Sequence, residues 1–354
     1  MIDNLQHRRA TVSLAAVALC TVGACFGTGG GESGFPTLSG PYLGQAPPGR
    51  EPQLFAPGIV STGMYERDMA MTPDGSELYY CVVVGDYSVI MQTRLADGRW
   101  TRPEVAPFSG NPEFMDLEPH ISPDGQRFYF VSNRPADGGP QPAERVGSWT
   151  HADIWVMDRV GDGWGEPRNL GAPVNSTAPE FFPSITADGT LYFTREGPER
   201  GNFLYRARPS NGGWREPERL PAAVNATGQQ FNGFIAPDER YLIFGSFGRS
   251  DSRGGSDYYI AFRTTDDEWT PAVNLGDAVN HAQGAEWSGA VSRDGRYFFF
   301  MATSTTPTLP PPEKLTAAYL ATAHAGPQSG NPDIYWVDAG FLDRLHPDSL
   351  QVTR

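Results

Sequence analysis

Five aspartates recur along the chain, at Asp74, Asp124, Asp188, Asp238 and Asp294, and eight residues before each stands a carboxylate or its amide: Glu66, Asp116, Glu180, Gln230 and Glu286. Two residues further on come Asp68, Glu118, Phe182, Asn232 and Ser288, and His120 follows in the second copy. Such a set supports three chemistries. Carboxylates can satisfy buried backbone amides. Several of them around one opening can bind Ca²⁺, which takes oxygen ligands; Glu66, Asp116, Glu180 and Glu286 are the candidates. Two carboxyl groups roughly 5–10 Å apart can act as acid and base or nucleophile on a glycosidic bond. That pair would be Glu118 with Asp68 or Glu66, with His120 assisting proton transfer or ligating a metal. Burial and mutual repulsion would raise the pKa of one member. No phosphate-binding glycine loop, zinc spacing or Gly-x-Ser-x-Gly elbow is present.

The aspartates belong to an internal repeat. MAMTPDGSELYYCV at 69, PHISPDGQRFYFVS at 119, PSITADGTLYFTRE at 183, GFIAPDERYLIFGS at 233 and GAVSRDGRYFFFMA at 289 share an apolar position, a turn and an aromatic-rich strand. Asp-Gly between strand-like runs marks a hairpin, because Gly accepts positive φ and Asp bonds the backbone ahead of it. A second marker, Trp-x-x-Pro, recurs at Trp100, Trp164 and Trp214 and, one residue shorter, at Trp269. From its proline to the next turn aspartate the distance is 21 residues three times and 23 once. The interval from Pro52 to Asp74 is 22, so EPQLFAPGIVSTG at 51 reads as the last strand of a repeat whose first strands lie at the C-terminus. Four strands per repeat, with the N-terminal strand completing the last one, predict a closed ring with no exposed sheet edge. For the second repeat the strands fall near 116–122, 126–132, 153–159 and 167–171.

ISPDGQRFYFVSNR and DIWVMDR resemble the Pro-Asp-Gly repeats of TolB-type, WD-repeat-like bacterial β-propellers, over residues 51 to about 338. The resemblance implies an all-β, five-bladed β-propeller of four-stranded antiparallel blades. Six blades are the alternative if 303–332 holds further strands, although Pro307, Pro310, Pro311 and Pro312 oppose central strands there. It also implies an envelope location and protein–protein contact, while five-bladed propeller glycosidases use carboxylates at the channel mouth. Inner strands converge on the central channel, and alternation would bring the repeated acids together at its mouth. Long insertions at 134–152 and 303–332 should rise over that same face and mark it for binding. Trp149, outside the repeat, is the ligand-facing aromatic; Trp100, Trp164, Trp214 and Trp269 are expected between blades. Asp153, Asn202, Asp257 and Asp333 should cap the third strands, and Cys81 should be a core residue.

The N-terminus reads as an export signal: basic His7, Arg8 and Arg9, an apolar stretch from Thr11 to Val22, then Val22-Gly23-Ala24-Cys25, which resembles a lipobox. The expected organisation is a lipoprotein signal peptide at 1–24, a flexible tether at 25–50 with Cys25 acylated, and the propeller at 51–354. The net charge of −14 disfavours nucleic acid. The chain is thus read as an exported binding or scaffold lipoprotein, anchored to the outer membrane through lipid only and contacting an envelope protein or glycan. The alternative is a glycoside hydrolase-like enzyme. No cofactor other than Ca²⁺ is expected. The ligand-face residues would be Glu66, Asp68, Asp116, Glu118, His120, Glu180, Gln230, Asn232, Glu286 and Trp149.

Overall fold

A computed structural model describes residues 34–197, 201–280 and 286–347. Thr37–Arg354 clusters as one compact unit, which contains the propeller. Cys25 and the signal-like segment lie outside the described residues.

This unit is a five-bladed propeller, as the repeat predicts. Blade one runs Tyr65–Met71, Glu77–Val84, Tyr87–Ala96 and Glu104–Val105. Blade two is Asp116–Ile121, Arg127–Ser132, Asp153–Val160 and Arg168–Asn169, within two residues of the expected bounds. Blade three is Glu180–Ile185, Leu191–Glu196, Asn202–Ala207 and Glu218–Arg219, and blade four Gln230–Ile235, Tyr241–Phe247, Ser256–Phe262 and Val273–Asn274. Blade five has Gly289–Val291, Tyr297–Thr303 and Pro332–Asp338, and its outer strand is the N-terminal Gln53–Leu54, paired antiparallel with Trp336 and Tyr335. The ring is therefore closed by the first strand of the chain. Phe55, fully buried, seals this joint edge-on against Phe299 and Trp336.

Five apolar clusters fill the five spaces between neighbouring blades. Tyr79, Phe128 and Trp155 belong to the cluster between blades one and two, and Phe55, Leu78, Phe299 and Trp336 to the one between blades five and one. Cys81 is buried among the former. The repeated tryptophans lie at these interfaces: Trp164 Nε1 donates to Tyr79 Oη at 2.8 Å, and Trp269 meets Tyr192 edge-on. The turn aspartates fold back on their own hairpins. Asp124 accepts from Ser122 Oγ at 2.6 Å and from Gln126 N at 3.0 Å, and these bonds hold its carboxyl below the usual range despite some burial.

Two expectations need correction. Residues 37–50 are not a tether: Trp100 N donates to Leu38 O at 2.9 Å, Trp100 Nε1 to Gly40 O at 2.8 Å, and buried Leu43 and the Tyr42 ring join the closing core. The propeller body thus begins at least 14 residues earlier than the repeat alone suggests. The 303–332 insertion holds no sixth blade; it carries a helix, Ala317–His324, capped by Thr316.

Candidate functional site

Every complete inner strand bends at one place. The ladder slips between Arg67 and Ala70, Leu117 and His120, Phe181 and Ser184, and Phe231 and Phe234. At each slip one residue sits at left-handed φ: Asp68 at 57°, Glu118 at 57°, Phe182 at 51° and Asn232 at 54°. These are β-bulges, in which one extra residue leaves the ladder. They break the alternation on which the expected gathering of acids depended. In three of the four, the amide freed by the bulge goes to the preceding blade: Glu118 N to Cys81 Sγ at 3.2 Å, Phe182 N to Glu118 Oε2 at 2.7 Å, and Asn232 N to Thr194 Oγ1 at 3.0 Å.

The two acidic tiers therefore part. The outer tier, Glu66, Asp116, Glu180, Gln230 and Glu286, is buried within the blades and does not line the central cavity. Asp116 binds Arg134 at 2.6 Å. Glu180 binds Arg195 at 2.7 Å and accepts from Ser176 N at 2.9 Å. Glu66 accepts from the Thr62 hydroxyl. Gln230 donates to Ser246 Oγ at 3.0 Å. Glu286 is held at the backbone by Ser256, whose Oγ donates to Glu286 O at 2.9 Å. Among the described residues, no three His, Cys, Asp or Glu side chains are grouped to hold a metal ion.

The inner tier forms the floor of a central cavity of about 440 Å³. Asp68, Glu118, Phe182 and Ser288 line its deep end, with Met69, Met71, Ile121, Ile185, Phe234 and Val291 among the apolar walls. Pro73, Pro123, Pro237, Asp238 and Asp294 reach its rim, so it opens among the Asp-Gly turns. That is the face opposite the long insertions, and Trp149, 41% exposed against Phe181, stands away from it. Tyr42, from the segment before the first strand, also lines the cavity.

Arg67 lies beneath this floor. Its Nε donates to Asp68 Oδ2 at 2.7 Å and its Nη2 to Glu118 Oε1 at 2.9 Å, while Ser288 Oγ donates to Asp68. All four side chains are buried, and they join blades one, two and five. Burial, reinforced by the Asp68 charge, raises the Glu118 pKa against the pull of Arg67 and the Phe182 amide. Flanked by two carboxyls, the Arg67 guanidinium is held more firmly charged than usual. His120 accepts from Ile185 N at 3.1 Å through Nε2, and burial lowers its pKa to about 4, so the ring is neutral. Ser184 does the same for Ile235 N at 3.0 Å one blade on, which marks His120 as an inter-blade tie.

Of the sequence candidates, Asp68, Glu118 and His120 reach the cavity, whereas Glu66, Asp116, Glu180, Gln230, Asn232, Glu286 and Trp149 do not line it. Arg67 was missed. Its signal was available: at the same repeat position the other copies carry Leu117, Phe181, Phe231 and Trp287, so a lone arginine departs from an apolar column.

No family model and no curated protein matches this chain. Among solved structures it is similar to a TolB-assigned protein from Agrobacterium tumefaciens, with 16% identity, 77% of this chain and 80% of that one covered, and a TM-score of 0.44. A TolB from Acinetobacter baumannii shares 17% identity at a TM-score of 0.43, with 77% of this chain aligned to 57% of its length. A GH43 endo-arabinanase from Bacillus licheniformis shares 13% identity, with 77% and 93% covered and a TM-score of 0.44.

Proposed function

We propose that this chain is a non-enzymatic binding protein of the bacterial cell envelope, exported and lipid-anchored through Cys25. It takes an apolar portion of its protein or glycan partner into the cavity that opens among the Asp-Gly turns. The observation that carries this reading is the internal pairing of the floor. Asp68 and Glu118 share one guanidinium, and the His120 acceptor nitrogen is already used by Ile185 N. A general acid and base need free atoms aimed at the substrate; a binding scaffold does not. The walls above the floor are largely apolar, as in ligand pockets generally.

A photo-crosslinking side chain at Met71, inside the cavity, should give a discrete adduct in cells, and filling the channel with Ala290→Trp should abolish it. Unchanged adducts in the filled channel would refute use of the cavity. Labelled fatty acid should enter the wild type and not Cys25→Ala.

A second reading, a glycoside hydrolase, draws on the upward-shifted Glu118 beside Asp68 at the cavity floor. Turnover of aryl glycosides lost on Glu118→Gln would favour it and overturn the scaffold reading.

A further inference from the structure

Two blades neutralise their outer acids in the same way, and two cap the third-strand acid with the same asparagine; the ring-closing seam has neither partner. Within blades two and three, an arginine from the second strand or just after it binds the acid at the start of the first: Arg134 to Asp116, Arg195 to Glu180. The same kind of arginine also reaches a carbonyl behind it, Arg195 to Val174 O at 2.8 Å and, in blade four, Arg249 to Val224 O at 2.7 Å. Blade one has no lysine or arginine anywhere from Glu77 to Thr93. Glu66 keeps Thr62, but its Oε2 is buried without a partner.

The second partner is an asparagine on the fourth strand. Asn169 Nδ2 donates to Asp153 at 2.8 Å, and Asn274 Nδ2 to Asp257 at 2.7 Å. The ladder places Asn169 opposite Trp155, Asn274 opposite Tyr259 and Leu54 opposite Tyr335, each two residues past the third-strand acid. Leu54 therefore stands where the asparagine should be. Asp333 retains one bond, from Gln328 N at 2.7 Å, and its Oδ1 is buried without a partner. Ser329 Oγ, next in the chain to Gln328, is a third buried oxygen in that condition. The two segments are tied together: Ser61 Oγ donates to Ile334 O at 2.9 Å, and Asn331 Nδ2 to Gly63 O at 2.8 Å.

We propose that a divalent cation of the Ca²⁺ type binds at this seam, between Glu66 Oε2 and Asp333 Oδ1, in the place the guanidinium takes in blades two and three. The unpartnered atoms here, Glu66 Oε2, Asp333 Oδ1 and Ser329 Oγ, are all oxygens, Val60 stands six residues before Glu66 as Val174 does before Glu180, and calcium accepts mixed, irregular oxygen shells. Two carboxylates balance its charge. The residues come from opposite ends of the propeller, so the ion would staple the ring shut. Burial pushes each acid up to about 7, and for Asp333 the Glu66 charge adds to it, which is the cost a cation would offset.

The test is thermal unfolding of the full-length chain in chelator and then in calcium, with equilibrium dialysis against calcium alone. Wild type should bind one ion and melt about 2–5 °C higher at ~10 mM calcium, the range expected for a sub-millimolar site in a domain of this size. Glu66→Gln and Asp333→Asn should each bind no ion and show no rise. Glu180→Gln, a substitution away from the seam, should leave calcium stoichiometry at one. Absence of bound calcium in the wild type, or a rise that persists in both seam variants, overturns the proposal. Dialysis of the wild type needs no variant, so absence of bound calcium there overturns the proposal however the variants fold.

Discussion

Replacing Arg67 by methionine should be among the most damaging single changes in the molecule, and the damage should depend on pH. Arg67 is 5% exposed and makes two ion pairs, at 2.7 Å to Asp68 and 2.9 Å to Glu118, whose carboxyls are equally buried. Methionine keeps the stem and removes the charge, which leaves two carboxyls facing each other without a counterion. Breaking a buried pair in this way costs about 3–5 kcal/mol. A loss of about 4 kcal/mol equals about 3 pKa units shared between the two acids. Both would then titrate far above their unfolded values. A carboxyl raised in the folded state binds more protons folded than unfolded, so stability falls as pH rises through the shifted pKa and returns as pH drops. Urea unfolding at pH 8 and pH 5 measures this. The Arg67→Met deficit should be about 4 kcal/mol at pH 8 and smaller by roughly 1.5–2 kcal/mol at pH 5. Adding Glu118→Gln should recover about 1–2 kcal/mol at pH 8, since one uncompensated charge is gone. A deficit under about 1 kcal/mol, or one equal at both pH values, would refute the view that Arg67 holds the floor by charge.

Phe55→Ala should cost about 3–5 kcal/mol and expose the N-terminal strand to protease before the rest of the ring, because this fully buried ring seals the closing blade; uniform digestion would contradict closure at that strand. In chelator, the wild type should melt lower at pH 8 than at pH 6. Glu66 and Asp333 are both raised to about 7, so their favourable protonated forms are lost across that interval, and Glu66→Gln should flatten the dependence. Asp267→Asn should cost only about 1 kcal/mol despite contacts with Arg206, Arg208 and Arg263, because solvent screens a carboxyl that is 43% exposed. Against some burial, Arg206 and Arg263 lower the Asp267 pKa, so its contribution holds above the ordinary carboxylate range and fades as pH falls through it; a deficit that grows in acid would contradict the assignment.

Blade number, strand bounds and ring closure were legible because they rest on local signals that recur in four or five copies. An Asp-Gly hairpin, a Trp-x-x-Pro strand and a fixed interval reinforce one another, and Pro52 keeps the interval even where its blade is completed from the other end of the chain. The side-chain directions at the channel were not legible. The alternation rule presumes an unbroken strand, and the bulges at Asp68, Glu118, Phe182 and Asn232 carry no glycine to announce positive φ. The freed amides of Glu118, Phe182 and Asn232 are answered by the neighbouring blade, a contact invisible to local pattern. For the same reason the cavity opens among the short turns and not beneath the long insertions, where loop length pointed.

In a repeat protein, the residues shared by all copies describe what every blade needs, and they are mostly structural. Asp116 and Glu180 looked like chemistry in the sequence and turn out to be answered by arginines of their own blades. The residues that leave the pattern carry more information about what the assembled ring does. Arg67 replaces an apolar residue and draws Asp68, Glu118 and Ser288 into one network at the channel floor. Leu54 occupies the asparagine position at the seam and leaves Asp333 short of a donor. Each departure removes or adds one charge-compensating group at a buried site, where an unpaired group costs several kilocalories per mole. Such a cost persists through selection only when something else offsets it. At the floor that something is within the chain, two acids for one arginine. At the seam the described side chains supply no opposing charge, and a proton or the proposed ion would take that part. Calcium dialysis separates these two sources directly.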